Sequence, residues 1–351
     1  MTSAQLKETT GTRPLDVDEP RFRELVEPHR PEIHAHCYRM LGSLHDADDA
    51  VQDTLLRAWR ALPRFRGDSS ERTWLYRIAT NVCLDMIALR RKRILPVDYG
   101  PPTPLGAAPP ERLLPAGAAI EPYPDEAIGV ADGAAGPEAR FERRESLELA
   151  FVAALQHLPA RQRAALVLRD VLGFSAKESA SALATTVPAV NGALRRARKA
   201  LDGQLPDQSQ LVTLRALGDR RLREVAERFA DSLEQGEVQG VLATLADDAT
   251  VSTPPFEGWH EGRDGVAESW LMPSGPPPRL AYARTRANGQ AALGTYLIDP
   301  DRASYLPVAL DVLTLRGDLI SDVTIFRMPE LFPRFALPES LPTQAPAPYS
   351  S

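Results

Sequence analysis

The sequence has few cysteines and no long apolar run. Its 351 residues include only two cysteines, Cys37 and Cys83, and each lies among apolar residues in a segment with helical periodicity. This usage argues against a disulfide framework and indicates buried thiols. No apolar run approaches the roughly 20 residues of a transmembrane helix, and the first residues lack the core of a signal peptide. We therefore expect a cytoplasmic protein without a membrane anchor.

Clustered metal ligands are also scarce. His34 and His36 lie near Cys37, but no second cluster of ligand side chains follows them in the sequence. Structural zinc sites usually draw four ligands from two such clusters. We therefore predict no metal site and no cofactor.

Charge is distributed unevenly along the chain. The formal net charge is −6, yet the residues from Asp219 onward carry 12 Lys and Arg against 19 Asp and Glu, and the preceding residues sum to +1. Local clusters, rather than the chain total, determine the affinity for a polyanion. The basic clusters of the first part are therefore candidate nucleic-acid contacts.

Changes in composition divide the chain into five segments. Helical periodicity covers 17–95 and 140–206, and a segment rich in proline and glycine, 96–139, separates them. A helix followed by alternating short strands covers 219–330, and a Pro-rich stretch, 331–351, ends the chain. We predict a multidomain protein with two all-α domains, an extended linker, an α+β domain and a loosely packed tail.

The segment from Arg72 to Arg93 combines aromatic and basic residues on one predicted helix. An apolar stripe runs from Leu75 to Leu89, and Asp68 with Glu71 fits a capping box. The basic run at the end could simply complement the helix dipole and remain solvated. Alternatively, aromatic side chains stack on unpaired bases while basic ones follow phosphates. The candidate DNA contacts are Trp74, Arg77, Arg90, Arg91, Lys92 and Arg93.

The preceding segment predicts a helix with an acidic face. Asp49, Gln52 and Asp53 lie on that face, opposite an apolar stripe that includes Val51 and Ala58. Because an acidic helix repels DNA, we expect a protein partner for these three residues.

The segment from Leu158 to Leu201 has the pattern of a helix-turn-helix. Ser175 fits the cap of a short helix, Ala184 begins a turn, and Val187 begins a basic helix. The second helix of such a motif reads the major groove with its N-terminal residues. A plain helical hairpin is the alternative. The candidate contacts are Pro188, Ala189, Asn191, Arg195, Arg196 and Arg198.

These stretches resemble extracytoplasmic-function (ECF) sigma factors. DADDAVQDTLLRAW (Asp46–Trp59), FRGD (Phe65–Asp68) and RTWLYRIATNVCLD (Arg72–Asp85) resemble sigma region 2, and the helix-turn-helix resembles region 4. The resemblance implies a promoter-specificity subunit whose partners are core RNA polymerase and promoter DNA. It also implies that Asp49, Gln52 and Asp53 bind the polymerase clamp. The next helix would then melt the minus-ten element, and region 4 would read the minus-thirty-five element.

The C-terminal part resembles a SnoaL-like domain of the NTF2-like (cone) superfamily. The resemblance covers about 110 residues and includes W-x-x-G-R-D-G at Trp259–Gly265. Some sigma factors carry such a domain as a fused regulator, and their linker often contains P-Y-P-D, as at Pro122–Asp125. Ala119–Ile120 stand where that family commonly has Trp-Leu. Because this part is acidic, the sigma domains carry basic clusters and the linker tethers them, we predict that residues 219–330 pack against one or both sigma domains, with Tyr123 and neighbouring linker residues in the contact.

Cone folds also include isomerases and cyclases, so the alternative function is that of a cone-fold enzyme tethered to a DNA-binding module. Such chemistry needs a carboxylate base and a hydrogen-bond donor in one apolar pocket. No spacing pairs the candidates, and we predict that the protein is not an enzyme; a small effector bound in the cone remains open. The candidates are His260, Asp264, Tyr296, Asp299 and Asp311.

Overall fold

The computed structural model describes residues 19–107, 112–127, 144–206, 208–270 and 279–343. The predicted domain limits at 17, 139 and 140 and the last eight residues of the predicted tail lie outside these ranges. None of the helices within them is long and apolar enough to cross a membrane.

Four helices form the first helical unit. They are α1 (Glu19–Val26), α2 (Arg30–Leu41), α3 (Leu44–Ala61) and α4 (Glu71–Leu89). Ser43 caps α3, and the Ser70 hydroxyl accepts the backbone N–H of Thr73 at 3.1 Å to cap α4. The predicted Asp68–Glu71 capping box is therefore wrong, because Ser70 takes the N-cap position.

The predicted apolar stripe of α4 is only partly buried. Leu75, Ala79 and Val82 are buried in the core, and Met86 packs at its edge. Leu89 is 88 % exposed, because it is the last helical residue and the backbone is extended at Arg90.

The second helical unit contains the predicted helix-turn-helix. Its helices are α5 (Leu149–Gln156), α6 (Ala160–Leu166), α7 (Ala176–Ala182) and α8 (Val187–Leu201). Ser175 and Glu178 form a capping box at the start of α7, and Ala184 has a φ of 47° in the turn. The predicted inner face of α8 is confirmed, since Val190, Leu194, Ala197 and Leu201 are all buried.

A helical segment precedes the predicted start of the α+β domain at residue 219. The element α9 (Gln210–Gln235) consists of two helical segments joined at Gly218, where the backbone is non-helical with a φ of 76° and a ψ of 155°. The other elements are α10 (Val238–Ala243), β1 (Leu245–Ser252), β2 (Trp259–Glu261), α11 (Gly262–Trp270), β3 (Leu280–Ala287), β4 (Gln290–Asp299), β5 (Ser304–Arg316), β6 (Leu319–Phe326) and the short β7 (Leu341–Pro342). The strand order is β2-β1-β6-β5-β4-β3, and only the β1–β6 pair is parallel. β7 pairs with β5 outside this order.

The two faces of this sheet have different neighbours. Helix α9 covers one face, where Phe229, Leu293 and Leu313 share a core cluster. The opposite face, with Tyr296 and Phe326, belongs to the same continuous cluster as the helical units.

Residues 329–337, which we call the strap, pack on that second face. Leu331, Phe332, Phe335 and Leu337 are buried. The close approach depends on Gly294, because a Cβ there would lie 2.7 Å from the Leu337 side chain. The prediction of a loosely packed tail is therefore wrong for the strap. Burial of its apolar side chains fixes the strap on the sheet, although it contains prolines.

The described part of the linker, residues 96–107 and 112–127, is docked on the rest of the protein. Ile120 and Tyr123 are fully buried, and Leu114 and Ala118 are nearly so. A short bridge joins Ile94 to Ala119 and ties the linker to the end of the first helical unit.

Candidate protein-binding and nucleic-acid-binding surfaces

The acidic face of α3 is open to solvent. Asp49, Gln52 and Asp53 are all exposed, and Leu56 beside them is 48 % exposed. Asp49 lies 3.5 Å from Arg90, and Asp53 makes no ion pair within the described residues. An exposed carboxylate face with an apolar neighbour is suited to a basic protein partner.

Trp74 is a core residue in this arrangement. Its side chain is 3 % exposed, and its ring centroid lies 4.7 Å from that of Phe65. The neighbouring Thr73 hydroxyl donates to Glu178 of α7 at 3.4 Å, so α7 covers the start of α4. Arg77 is exposed. Stacking of Trp74 on a base therefore requires a change in packing.

The basic run after α4 is partly neutralised. Arg93 is buried and donates to Asp46 at 2.6 Å and to the carbonyl of Ala119 at 2.5 Å. Arg90 pairs with the same Asp46 carboxylate. Burial lowers the pKa of Arg93, although the nearby Glu121 carboxylate opposes this shift. In this arrangement Arg93 is not available to a phosphate.

The remaining two basic side chains of the run are exposed at the surface. Lys92 lies 2.8 Å from the ring of His157, which in turn lies 3.2 Å from Asp98, and burial lowers the pKa of Lys92. Arg91 is exposed, so it is the member of the run best placed for DNA.

The N-terminal half of α8 forms an exposed surface. Arg198, closer to the C-terminus, donates twice to Asp170, at 2.7 and 2.9 Å, and this hydrogen bonding raises its pKa. Arg198 is therefore held against its own unit. All candidate contacts on α8 are exposed, and Arg198 differs from the others in its pairing with Asp170; they are Pro188, Ala189, Asn191, Arg195, Arg196 and Arg198.

The two helical units pack against each other. The rings of Tyr76 and Phe174 are 5.2 Å apart, and the guanidinium of Arg72 lies 4.8 and 4.9 Å from their centroids. Asn81 donates to the carbonyl of Ala182 at 3.4 Å. One face of helix α4 thus packs against α7, the first helix of the helix-turn-helix.

Asn288 joins the α+β domain to all three preceding segments. It lies in the β3–β4 turn, is fully buried and has a φ of 55°. Its Nδ2 donates to the Tyr38 hydroxyl at 2.9 Å and to the carbonyl of Leu147 at 2.8 Å. Its Oδ1 accepts the N–H of Tyr123 at 2.9 Å, and its own N–H donates to the Tyr123 carbonyl at 2.8 Å. The predicted contact through Tyr123 is present.

Two carboxylates reinforce this junction. Asp125 of the linker accepts the N–H of Gly289 at 2.6 Å and pairs with Arg286 at 3.0 Å. Glu148 accepts the N–H groups of Gln210 and Leu211 at the start of α9, at 2.9 and 2.8 Å. Burial raises the pKa of Glu148 to about 7, although these two hydrogen bonds oppose the shift.

The candidate catalytic residues do not converge. Tyr296 packs on the sheet face that carries Phe326, whereas strand alternation places Asp311 on the face of Leu313. Asp299 accepts the N–H groups of a turn, at 3.0 and 3.3 Å. His260 and Asp264 lie outside β4 and β5, on β2 and at the start of α11. Burial raises the pKa of Asp311 to about 7, and its described partner is the Thr295 hydroxyl at 2.7 Å.

The sequence did not single out several residues of the junction. In the sequence, Asn288 precedes Gly289 in a dipeptide that is common in turns, His34 lies near Cys37, and Arg334 lies in the Pro-rich stretch 331–351. Each of them has a partner that lies 89 to 286 residues away along the chain, so no local pattern could indicate these contacts.

Comparisons with known proteins match this organisation. The family model described as Sigma-70 region 2 matches residues 25–93, and that described as Sigma-70, region 4 matches residues 148–201. The ECF RNA polymerase sigma factor SigG of Mycobacterium tuberculosis is 40% identical over 340 residues, which are 96% of this chain and 89% of SigG. SigW of Bacillus subtilis is 32% identical over 193 residues, which are 54% of this chain and 91% of SigW.

A solved structure supports the fold of nearly the whole chain. The crystal structure of the Mycobacterium tuberculosis extracytoplasmic function sigma factor SigJ has a TM-score of 0.55 and 20% identity, and the match covers 92% of this chain and 100% of that one. The predicted order of two helical domains followed by an α+β domain is confirmed.

Proposed function

Because this chain belongs to the family of ECF RNA polymerase sigma factors, we propose that its binding surfaces are those described above. The protein directs core RNA polymerase to promoters, and the exposed face of Asp49, Gln52 and Asp53 binds core polymerase. The exposed half of α8 reads the upstream promoter element, and α4 acts at the melted strand. A protein with these partners works in the cytoplasm. The observation that carries the polymerase assignment is the exposure of that acidic face beside Leu56.

We further infer that the α+β domain is a fused regulator. It contacts the first helical unit, the linker and the second helical unit through one buried side chain, Asn288. We use the term closed arrangement for the packing of the α+β domain on the helical units and the linker, together with the packing of α7 against α4. Since α7 covers the start of α4 through the contact of Thr73 with Glu178 and Trp74 is buried beside it, promoter melting requires this arrangement to open.

A cone-fold enzyme is not favoured as the function. Membership of the sigma family accounts for the two helical domains, and the candidate catalytic residues lie on different faces and edges of the α+β domain.

Core binding is the direct test of the acidic face. Asp53→Arg should abolish co-purification with core polymerase and run-off transcription, because it places a like charge against a basic partner. Glu24→Arg on α1 is a matched control, since Glu24 is also an exposed acidic helical residue. Undiminished co-purification of the Asp53 variant would show that polymerase binds elsewhere.

A further inference from the structure

The strap reaches the first helical unit through one ion pair. Arg334 Nη2 lies 2.7 Å from Asp48 Oδ2 on α3, and both side chains are about half exposed. The backbone that follows Arg334 is hydrogen-bonded to the sheet. The Thr285 hydroxyl donates to the carbonyl of Phe335 at 2.8 Å, and the Tyr296 hydroxyl donates to that of Pro338 at 2.9 Å. Arg334 therefore projects from an anchored segment.

Asp48 also connects the strap to the linker. The other carboxylate oxygen lies 3.0 Å from Nε2 of His34, whose Nδ1 lies 2.8 Å from the Tyr123 hydroxyl. Burial lowers the pKa of His34, although Asp48 opposes this shift, so the neutral ring is favoured. A carboxylate can only accept, so Nε2 carries the proton and Tyr123 donates to Nδ1. A polar chain thus runs from Arg334 to the buried linker.

The ion pair of Arg334 with Asp48 lies beside the acidic face of α3. Asp48 adjoins Asp49 and lies one helical turn before Gln52, so it borders the face assigned to core polymerase. A basic partner that covers this face would come into contact with Arg334, which is already paired with the Asp48 carboxylate at the border of the face.

We propose that the strap is an intramolecular competitor of core polymerase for the acidic face of α3. Arg334 occupies the place of a basic side chain of the partner and leaves Asp48 when core binds. Departure of Arg334 also frees the Asp48 carboxylate that orients His34 against Tyr123, which couples core binding to the linker. This inference rests on the proposed polymerase surface.

Affinity of the full-length protein for core polymerase tests the competition. Arg334→Ala should bind about two- to fivefold more tightly, the range expected for loss of a half-exposed ion pair, and the gain should shrink at high salt. Arg334→Lys keeps the charge and should bind like the wild type. Arg302→Ala is the matched control, because Arg302 is an exposed arginine of the same domain that pairs with Asp299 at 3.4 Å.

The outcomes separate this inference from the proposed function. Unchanged or weaker binding by Arg334→Ala, while Asp53→Arg loses binding, would overturn the competition and leave the polymerase surface in place. If Asp53→Arg bound like the wild type, the acidic face would be the wrong surface and both proposals would fall.

Discussion

At the scale of single residues, burial changes what a side chain can do. Trp74 and Arg93 have the chemistry of nucleic-acid contacts, yet Trp74 packs on Phe65 and Arg93 pairs with Asp46. Arg195 on α8 is exposed. In the closed arrangement the surface proposed to read the upstream element is therefore accessible, whereas Trp74, proposed to act in strand opening, is buried.

Substitutions at Trp74 test both its role in the core and its proposed role in base stacking. Trp74→Ala should lower the free energy of unfolding by about 3–5 kcal/mol, because it leaves a cavity beside Phe65. Trp74→Phe should lose less stability than Trp74→Ala. A defect of the Phe variant in the permanganate footprint of the open complex therefore reports on base stacking and not on unfolding. Urea unfolding of both variants supplies the stability comparison. An Ala variant as stable as wild type would contradict the core assignment.

Arg195 is expected to read a base. Arg195→Ala should cost about 1–3 kcal/mol at one upstream base pair and relax the preference there. Arg198→Ala provides a contrast, since Arg198 is held by Asp170 and should show no preference for any one base pair. Competition binding with single-base-pair promoter variants gives both values. A loss that is uniform across all variants would make Arg195 a phosphate contact.

At the scale of elements, local patterns predicted most helices and strands. The buried face of α8 and the capped start of α7 follow from spacing and from Ser175, and both are found. The start of α9 and the strap were missed, because their stability comes from distant partners. Gln210 bonds to the backbone of Leu315, and the strap packs on the sheet. Proline content alone does not indicate such tertiary contacts.

The β3–β4 turn is the element that holds the junction. Asn288→Gly keeps the left-handed backbone conformation but removes three side-chain hydrogen bonds, and each buried group left unpaired costs about 1–3 kcal/mol. We expect faster hydrogen exchange at the Tyr123 amide and easier proteolysis of the linker. Asp318→Gly in the exposed β5–β6 turn is the control. Exchange at Tyr123 that matched the wild type would mean that Asn288 does not hold the junction.

At the scale of the whole molecule, the domains form one packed body. The sequence predicted the order of the domains and a contact through Tyr123, but it could not indicate which turn would fill the space between Tyr38 and Leu147. Tyr38 and Asn288 are 250 positions apart in the chain. Tethering makes such docking intramolecular, so a modest set of contacts suffices to keep the units together.

Truncation tests whether this packing regulates transcription. A version ending at residue 206 lacks the α+β domain, so the contacts of Asn288 and Glu148 that tie the second helical unit to it are lost. We expect this version to open more readily and to give several-fold more run-off transcript from a cognate promoter with core polymerase, because the closed arrangement is less populated. A version ending at residue 328 lacks only the strap and the residues after it, and should give an intermediate amount of transcript.

Scattering curves of the full-length protein and both shorter versions would check that the shorter ones are more extended. Equal transcription by all three would show that the fused domain is not regulatory, and lower transcription by the shorter ones would mean that it preorganises the sigma domains for polymerase.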